Sequence, residues 1–424
     1  MQEFLKTFDV AVIGGGPAGI MAAGRAAELG AKVILLEKNK DLARKLLLTG
    51  KGRCNITQNQ PNSKEFVKKI GPKGKFLFSS LASFGPEKVI AFFEARNLPL
   101  KTERGGRVFP VSDRSEDVLH TLKRYLKENG VRIACESDVV DFELKNNRIR
   151  ILKLKNRTIE ARSYILATGG KSYPATGSTG DGYRWAKKMG HTIIDPTPAL
   201  VPVKTKEDWV KNLQGLSLKN VAITIFQKNK KQDARFGEML FTHFGLSGPI
   251  ILDVSKKIGE LLKGGDVTIE IDLKPALDFQ QLDERLQRDF KKNANKNFEN
   301  YLPELLPQKL IGVTVELLGI DVKKKIHSIT KEERKKMIHL LKGMKVTVEK
   351  LMGFDQAIVT SGGVNLSEID SKTMRSKIIE NLFFAGEILD LDGPTGGYNL
   401  QICWSTGYAA GTHSITVEKP MTQH

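Results

Sequence analysis

The sequence predicts an α/β protein on a parallel sheet, interrupted by a long insertion of different composition. Three observations predict it. The chain opens with strand, glycine turn, helix and strand; two further apolar runs end in glycine turns near 166 and 386; and the stretch between them changes from β-like segments to a lysine-rich amphipathic one. Phe8–Ile13 is a short apolar run, followed by Gly14-Gly15-Gly16-Pro17-Ala18-Gly19 and an alanine-rich segment to Gly30. Lys32–Leu36 is a second β-type run ending at Glu37. A βαβ unit of this kind implies parallel strands buried under helices.

From Ser163 the run YILATGG reads as another buried strand ending in a glycine turn, and Asn381–Gly386 (NLFFAG) as a third. Both deliver loops to the same end as the first. Between them, Ile193–Ile271 holds β-like segments at 221–226 and 267–273, while Phe279–Leu341 is amphipathic, lysine-rich and punctuated by Pro303 and Pro307. The expected division is a discontinuous nucleotide-binding domain over 1–190 and 360–424, a β-rich insert over 191–275 and 343–359, and a helical insert over 276–342. No repeat or low-complexity tract is visible, which excludes solenoids.

Composition narrows the class. Of 424 residues, 40% are hydrophobic and 27% charged, an ordinary globular balance that excludes disorder and collagen. The uncharged stretch near the start, Val10–Gly24, is shorter than the ~20 residues a spanning helix needs and is broken by glycines and a proline. No membrane partner is expected. A leader peptide would need a basic start, but Glu3 and Asp9 interleave with Lys6, so a cytoplasmic protein is expected. Cys54, Cys135 and Cys403 are far apart, with no CxxC and no histidine at ligand spacing, which speaks against disulfides and metal sites. Lys+Arg 67 against Asp+Glu 48 gives a net charge of +19. The basic residues are spread over solvated faces such as Lys323-Lys324-Lys325, so a nucleic-acid partner is not the favoured reading.

Gly14-x-Gly16-x-x-Gly19 follows a strand and opens a helix, and Glu37 stands 23 positions after Gly14 at the end of the next strand. In that context the glycines have separate tasks: a tight turn, room for a pyrophosphate, and close helix–strand packing. The helix start offers amides and a partial positive charge to phosphates, and Glu37 accepts from ribose hydroxyls, favouring FAD or NAD over NADP. The extra returns at Thr168-Gly169-Gly170 and Ala385-Gly386-Glu387 favour FAD, with Glu387 expected on the ribityl chain or, through water, on the pyrophosphate.

These segments, with LLLTGKGRCNIT (46–57), GRVFP (106–110), ATGGKSYPATGSTGDG (167–182), FTHFGLSGP (241–249), TSGGV (360–364) and AGEILDLDGPTGGYNLQICWSTG (385–407), resemble over nearly the full chain the two-dinucleotide-binding-domain flavoproteins. Within them the chain is similar to the bacterial NAD(P)/FAD-dependent oxidoreductases that include aminoacetone oxidase-like and 3-dehydro-bile-acid reductase-like enzymes. The resemblance implies a glutathione-reductase-like FAD-binding domain with an inserted barrel-like module and a small helical module. It adds Pro17, Ala18, Lys38 and Val139 to the FAD site. In Thr49-Gly50-Lys51-Gly52-Arg53-Cys54-Asn55 the glycines let the loop pass a flat ligand, and Lys51, Arg53 and Asn55 offer donors. Cys54 has no activating partner, so the FAD is expected to be noncovalent.

Gly396-Gly397-Tyr398-Asn399-Leu400 precedes a small-residue helix whose N-terminus favours negative charge on a reduced flavin. On that reading Gly397→Pro harms redox function more than folding. His243 is the only histidine inside one of these motifs. It reads either as proton donor or substrate contact, or as a loop histidine satisfied by backbone; Tyr173 and Tyr398 share that ambiguity. No second GxGxxG follows Gly19, so electrons come from the substrate, from transiently docked NAD(P)H or from a protein carrier. Enone C=C reduction or amine oxidation on a small organic molecule, with NAD(P)H or oxygen as redox partner, suits one flavin. An RNA-binding or tRNA-modifying flavoprotein is the alternative suggested by the +19 charge, and a flavin-bearing protein without turnover is a third.

Overall fold

The computed structural model describes residues 7–417. The chain forms two compact units, one from the residues up to Ala199 and from Ala357 on, the other from Leu200–Gln356.

In the first unit, β1 (Thr7–Ile13) lies in a seven-stranded sheet, parallel to β2 (Val33–Leu36) on one side and to strand Thr158–Leu166 on the other. All four residues of β2 are buried, as expected of a parallel strand covered on both faces. The C-terminal strand Leu382–Phe384 also pairs parallel with Thr158–Leu166, Phe384 opposite Leu166. The sheet therefore unites residues from both ends of the chain. An antiparallel pair, Val139–Lys145 and Arg148–Leu154, extends one side.

Helix α1 (Pro17–Glu28) begins with proline, whose fixed φ and missing N–H suit a first turn, and buries an almost continuous Ala/Ile/Met face. It packs against the C-terminal helix Tyr398–Ser414 at unusually short range. A Cβ on Gly407 would lie 2.4 Å from the Ala18 carbonyl oxygen, and one on Gly411 2.4 Å from that of Ala22. The near-absence of side chains is what allows two backbones to touch. The helical segments between Pro72 and Glu94 are long and apolar enough to pass for a membrane span by composition. Leu77, Leu81, Phe84, Val89 and Phe93 are buried in the core of this unit, which accounts for that apolarity.

His191 is enclosed here, its ring nitrogens 3.2 Å from the Ala186 carbonyl oxygen and 2.8 Å from Ser376 Oγ. Burial holds its pKa below the ordinary value. The folded state therefore prefers the neutral ring, so its contribution is complete above the unfolded pKa of about 6.5 and is lost as pH falls below it. Thermal melts at about pH 7.5 and about pH 5.5 are expected to show a larger acid loss for the wild type than for His191→Gln. Equal losses would remove His191 from the acid response.

In the second unit six antiparallel strands close a barrel in the order Val203–Thr205, Gly245–Ser247, Lys230–Phe241, Ser217–Gln227, Val267–Asp272 and Met344–Leu351. Val267, Ile269 and Ile271 alternate inward, the period-2 pattern of a strand with one buried face. Helices from Phe279 to Lys342 lie between the last two strands in sequence; two of them start with capping boxes, Asp278 with Gln281 and Thr330 with Glu333. The unit boundaries lie at 199/200 and 356/357 rather than at 190/191 and 359/360. The physical reason is that strand Ile193–Ala199 pairs with Val359–Val364 and so stays with the first unit.

Candidate functional site

The first unit contains a cavity of about 590 Å3 at the carboxyl ends of its parallel strands. β1 ends at Ile13, and the chain turns at Gly14 with φ +106, a left-handed conformation that glycine adopts without strain. A Cβ at Gly14 would meet the Ala167 carbonyl oxygen at 2.4 Å, and one at Gly19 would meet the Gly14 carbonyl oxygen at 1.8 Å. Gly16 differs: nothing lies within 4 Å of its Cβ position, and it lines the cavity. It is also the N-cap of α1 and supplies no capping side chain, which leaves the positive end of the helix dipole to a ligand.

Glu37 lies at the end of β2, is 8% exposed and faces the same cavity. Its carboxylate accepts from the Gly15 amide at 2.8 Å and, through the other oxygen, from the Asn39 amide and side chain at 2.8 and 2.7 Å. Those donors fix its position and leave acceptor capacity for a pair of hydroxyls. The open space at Gly16, the ordered carboxylate 21 residues further on and the one cavity wall that holds both fit an adenine dinucleotide such as FAD.

Of the residues singled out by sequence, Gly14, Gly16, Pro17, Ala18, Glu37, Lys38, Val139, Thr168, Gly169 and Glu387 line this cavity, while Gly19 packs beneath the turn. The wall also includes Lys45, Ser137, Thr179, Trp185 and Cys403, which sequence reasoning passed over. Ser137 and Trp185 carried no motif signal; Lys45 stands four residues before Thr49-Gly50 and Cys403 inside the motif 385–407.

The loop 49–55 and the turn 396–400 lie outside the cavity wall. They come together at the neighbouring segment Thr57–Gln58: a Cβ on Gly397 would lie 2.4 Å from the Thr57 carbonyl, and one on Gly396 3.5 Å from Gln58 Oε1. Arg53 does not extend as a free donor. Its guanidinium bonds Glu103 at 2.7 Å and Asp113 at 3.2 Å and stacks 4.0 Å from the Phe109 ring centre. Gly50 sits 3.0 Å, at its Cβ position, from the Asn55 amide, and Lys51 adopts φ +61 in the same tight loop. The Tyr398 ring packs 4.8 Å from that of Phe66, and the Asn399 side chain closes the turn by bonding both the amide and the carbonyl of Gly393. The reading of Gly397→Pro as chiefly a redox change is corrected by this geometry: φ is +100 and proline requires about −65°, so the turn itself breaks.

Cys54 is fully buried, and burial pushes its thiol up to about 12; it is a packing residue. Cys403 is likewise pushed up to about 12 by burial. His243 lies in the second unit, exposed in the turn between strands Lys230–Phe241 and Gly245–Ser247, its ring edge-on to Phe244 at 4.9 Å.

Comparison with known proteins agrees with this geometry. The chain is 32% identical over 406 residues to the 3-dehydro-bile acid delta(4,6)-reductase of Clostridium scindens, covering 95% of this chain and 98% of that protein. It is 30% identical over 403 residues to the ribosomal RNA dihydrouridine synthase of Haemophilus influenzae, covering 94% and 96%. Among solved structures, the 3-ketosteroid delta1-dehydrogenase of Sterolibacterium denitrificans superposes with a TM-score of 0.53 at 14% identity, covering 97% of this chain and 100% of that one, a likeness of fold. The HI0933-like protein Rossmann domain model matches residues 8–413, and the chain belongs to that family of flavin-dependent oxidoreductases.

Proposed function

We propose that the protein binds FAD noncovalently along the first-unit cavity and reduces a carbon–carbon double bond conjugated to a carbonyl in a small organic substrate, with NAD(P)H as transient reductant. The observation that carries this reading is the convergence of the Gly14–Gly19 turn, Glu37, Thr168-Gly169 and Glu387 on one cavity. FAD, when bound, supplies the two-electron redox chemistry. The chain's own groups do the rest. Gly16 leaves room for the pyrophosphate, Glu37 accepts from ribose hydroxyls, and Lys38 and Val139 flank the adenosine end. The loop Thr49–Asn55 and the turn Gly396–Leu400 flank the flavin end, where helix Tyr398–Ser414 begins at Gly397 without a capping side chain, so its dipole favours negative charge nearby. The names of the two relatives both denote saturation of a double bond conjugated to a carbonyl, in a steroid ring or in uracil, and this supports the reaction class over amine oxidation.

A second reading, a uracil ring within RNA as substrate, is favoured by the +19 charge and by the dihydrouridine synthase relative. Anaerobic titration with NADH and NADPH is expected to bleach the flavin band, and a 3-oxo steroid with a Δ4 double bond to restore it. Restoration by unmodified ribosomal RNA alone would select the second reading. Failure of any nicotinamide to bleach the flavin would exclude NAD(P)H as donor.

A further inference from the structure

Five cationic side chains line the cavity: Lys38, Arg44, Lys45, Lys155 and Arg184. Three are well solvated: Lys155 and Arg184 are 68 and 70% exposed, and Arg44 is exposed; Lys38 is half-buried and committed to Thr179 and Asp181. Lys45, on α2 (Arg44–Leu48), is 21% exposed and is anchored deep in the wall. Its ammonium donates to Glu387 Oε2 at 2.9 Å, to Glu387 Oε1 at 3.2 Å and to Ser172 Oγ at 2.6 Å.

Glu387 is held independently of Lys45. The Ser172 hydroxyl donates to Oε1 at 2.8 Å and the Thr360 amide at 2.7 Å, so the fold fixes this 15%-exposed carboxylate whether or not the lysine is present. Its location matters because the preceding residue touches α1. A Cβ on Gly386 would lie 2.7 Å from the Ala18 Cβ, in the first turn of the helix whose N-terminus opens at Gly16. A fixed negative charge thus adjoins the place where the fold offers a phosphate site. Charges so sheltered interact much more strongly than exposed ones.

We propose that Lys45 is the charge-setting residue of the dinucleotide site: it neutralises Glu387 and thereby lets the wall accept the doubly anionic diphosphate of FAD. The inference rests on the FAD reading and adds to it a positioning residue and a sign. A partner that only braced the wall would contribute stability; this one contributes an electrostatic permission that a second substitution can restore.

The test is FAD titration of apoprotein at low and high salt. Lys45→Met is expected to raise the FAD Kd about 30-fold at low salt, because an uncompensated buried carboxylate then faces two phosphates, and less at high salt. Lys45→Arg retains affinity within about threefold, and Lys45→Met/Glu387→Gln recovers most of the loss, since the repelling charge is gone. Lys45→Gln, which can keep a hydrogen bond to Ser172 without the charge, is expected to show the same loss and keeps the proposal testable should Lys45→Met fail to fold. A Lys45→Met or Lys45→Gln protein with wild-type affinity, or a loss that persists in the double variant, would overturn it. Wild-type apoprotein that binds no FAD would instead remove the FAD reading itself.

Discussion

Gly16→Val protein is expected to fold and to purify without flavin. The position has φ −79, which valine tolerates, and nothing within 4 Å of its Cβ, so the substitution strains no backbone and displaces no neighbour. The new methyl groups enter the space in front of α1, where the diphosphate must approach the helix amides. Loss of that approach removes several charge-assisted contacts together, and a fall in FAD affinity of at least 100-fold follows from about 1.5–3 kcal/mol for each. Circular dichroism and the visible spectrum check the two halves separately: a native far-ultraviolet signal with no flavin band is the expected pair. Gly16→Val protein as yellow as wild type would mean that the dinucleotide lies elsewhere.

Gly407→Leu is expected to do the opposite, failing in stability before function. The Cβ position lies 2.4 Å from the Ala18 carbonyl oxygen, which is helical backbone and cannot swing aside as a side chain can. Helix Tyr398–Ser414 must therefore move away from α1 along its length, exposing part of a core that includes Trp404, Ala409 and Ala410, all at most 2% exposed. Overpacking in a tight core costs about 1–3 kcal/mol, and more when helices must separate. Thermal or denaturant unfolding is expected to show a loss at or above that range, and Gly407→Ala a smaller loss in the same direction. A Leu variant as stable as wild type would show that the two helices are not held at the separation described.

The nucleotide-binding half of the fold was legible because its signals are local. A buried strand, a glycine turn and an alanine-rich helix follow one another within residues 8–28, and Glu37 stands where a βαβ crossover must deliver it. The return of Leu382–Phe384 to the same sheet was legible for a similar reason, since an apolar run ending in Gly386-Glu387 mirrors the first. The limits of the insert were less so. Ile193–Ala199, with Asp195, Pro196 and Pro198, carries little strand signal of its own, and only its pairing with Val359–Val364 assigns it to the first unit. In the site, Arg53 was read as a cofactor donor because sequence cannot show that Glu103 and Asp113, 50 and 60 residues on, occupy its guanidinium. Lys45 was missed for the converse reason: its partner Glu387 is 342 residues away. Spacing reports what a turn or helix face requires, whereas ion pairs across a sheet become visible only once the strands are ordered.

The most direct test of the dinucleotide site is the flavin released when purified protein is precipitated with acid. One FAD per chain in the supernatant, with a colourless pellet, is the result the geometry predicts. Flavin retained in the pellet, a flavin lacking the adenylate half, or no flavin from protein that has been supplied with FAD would contradict it.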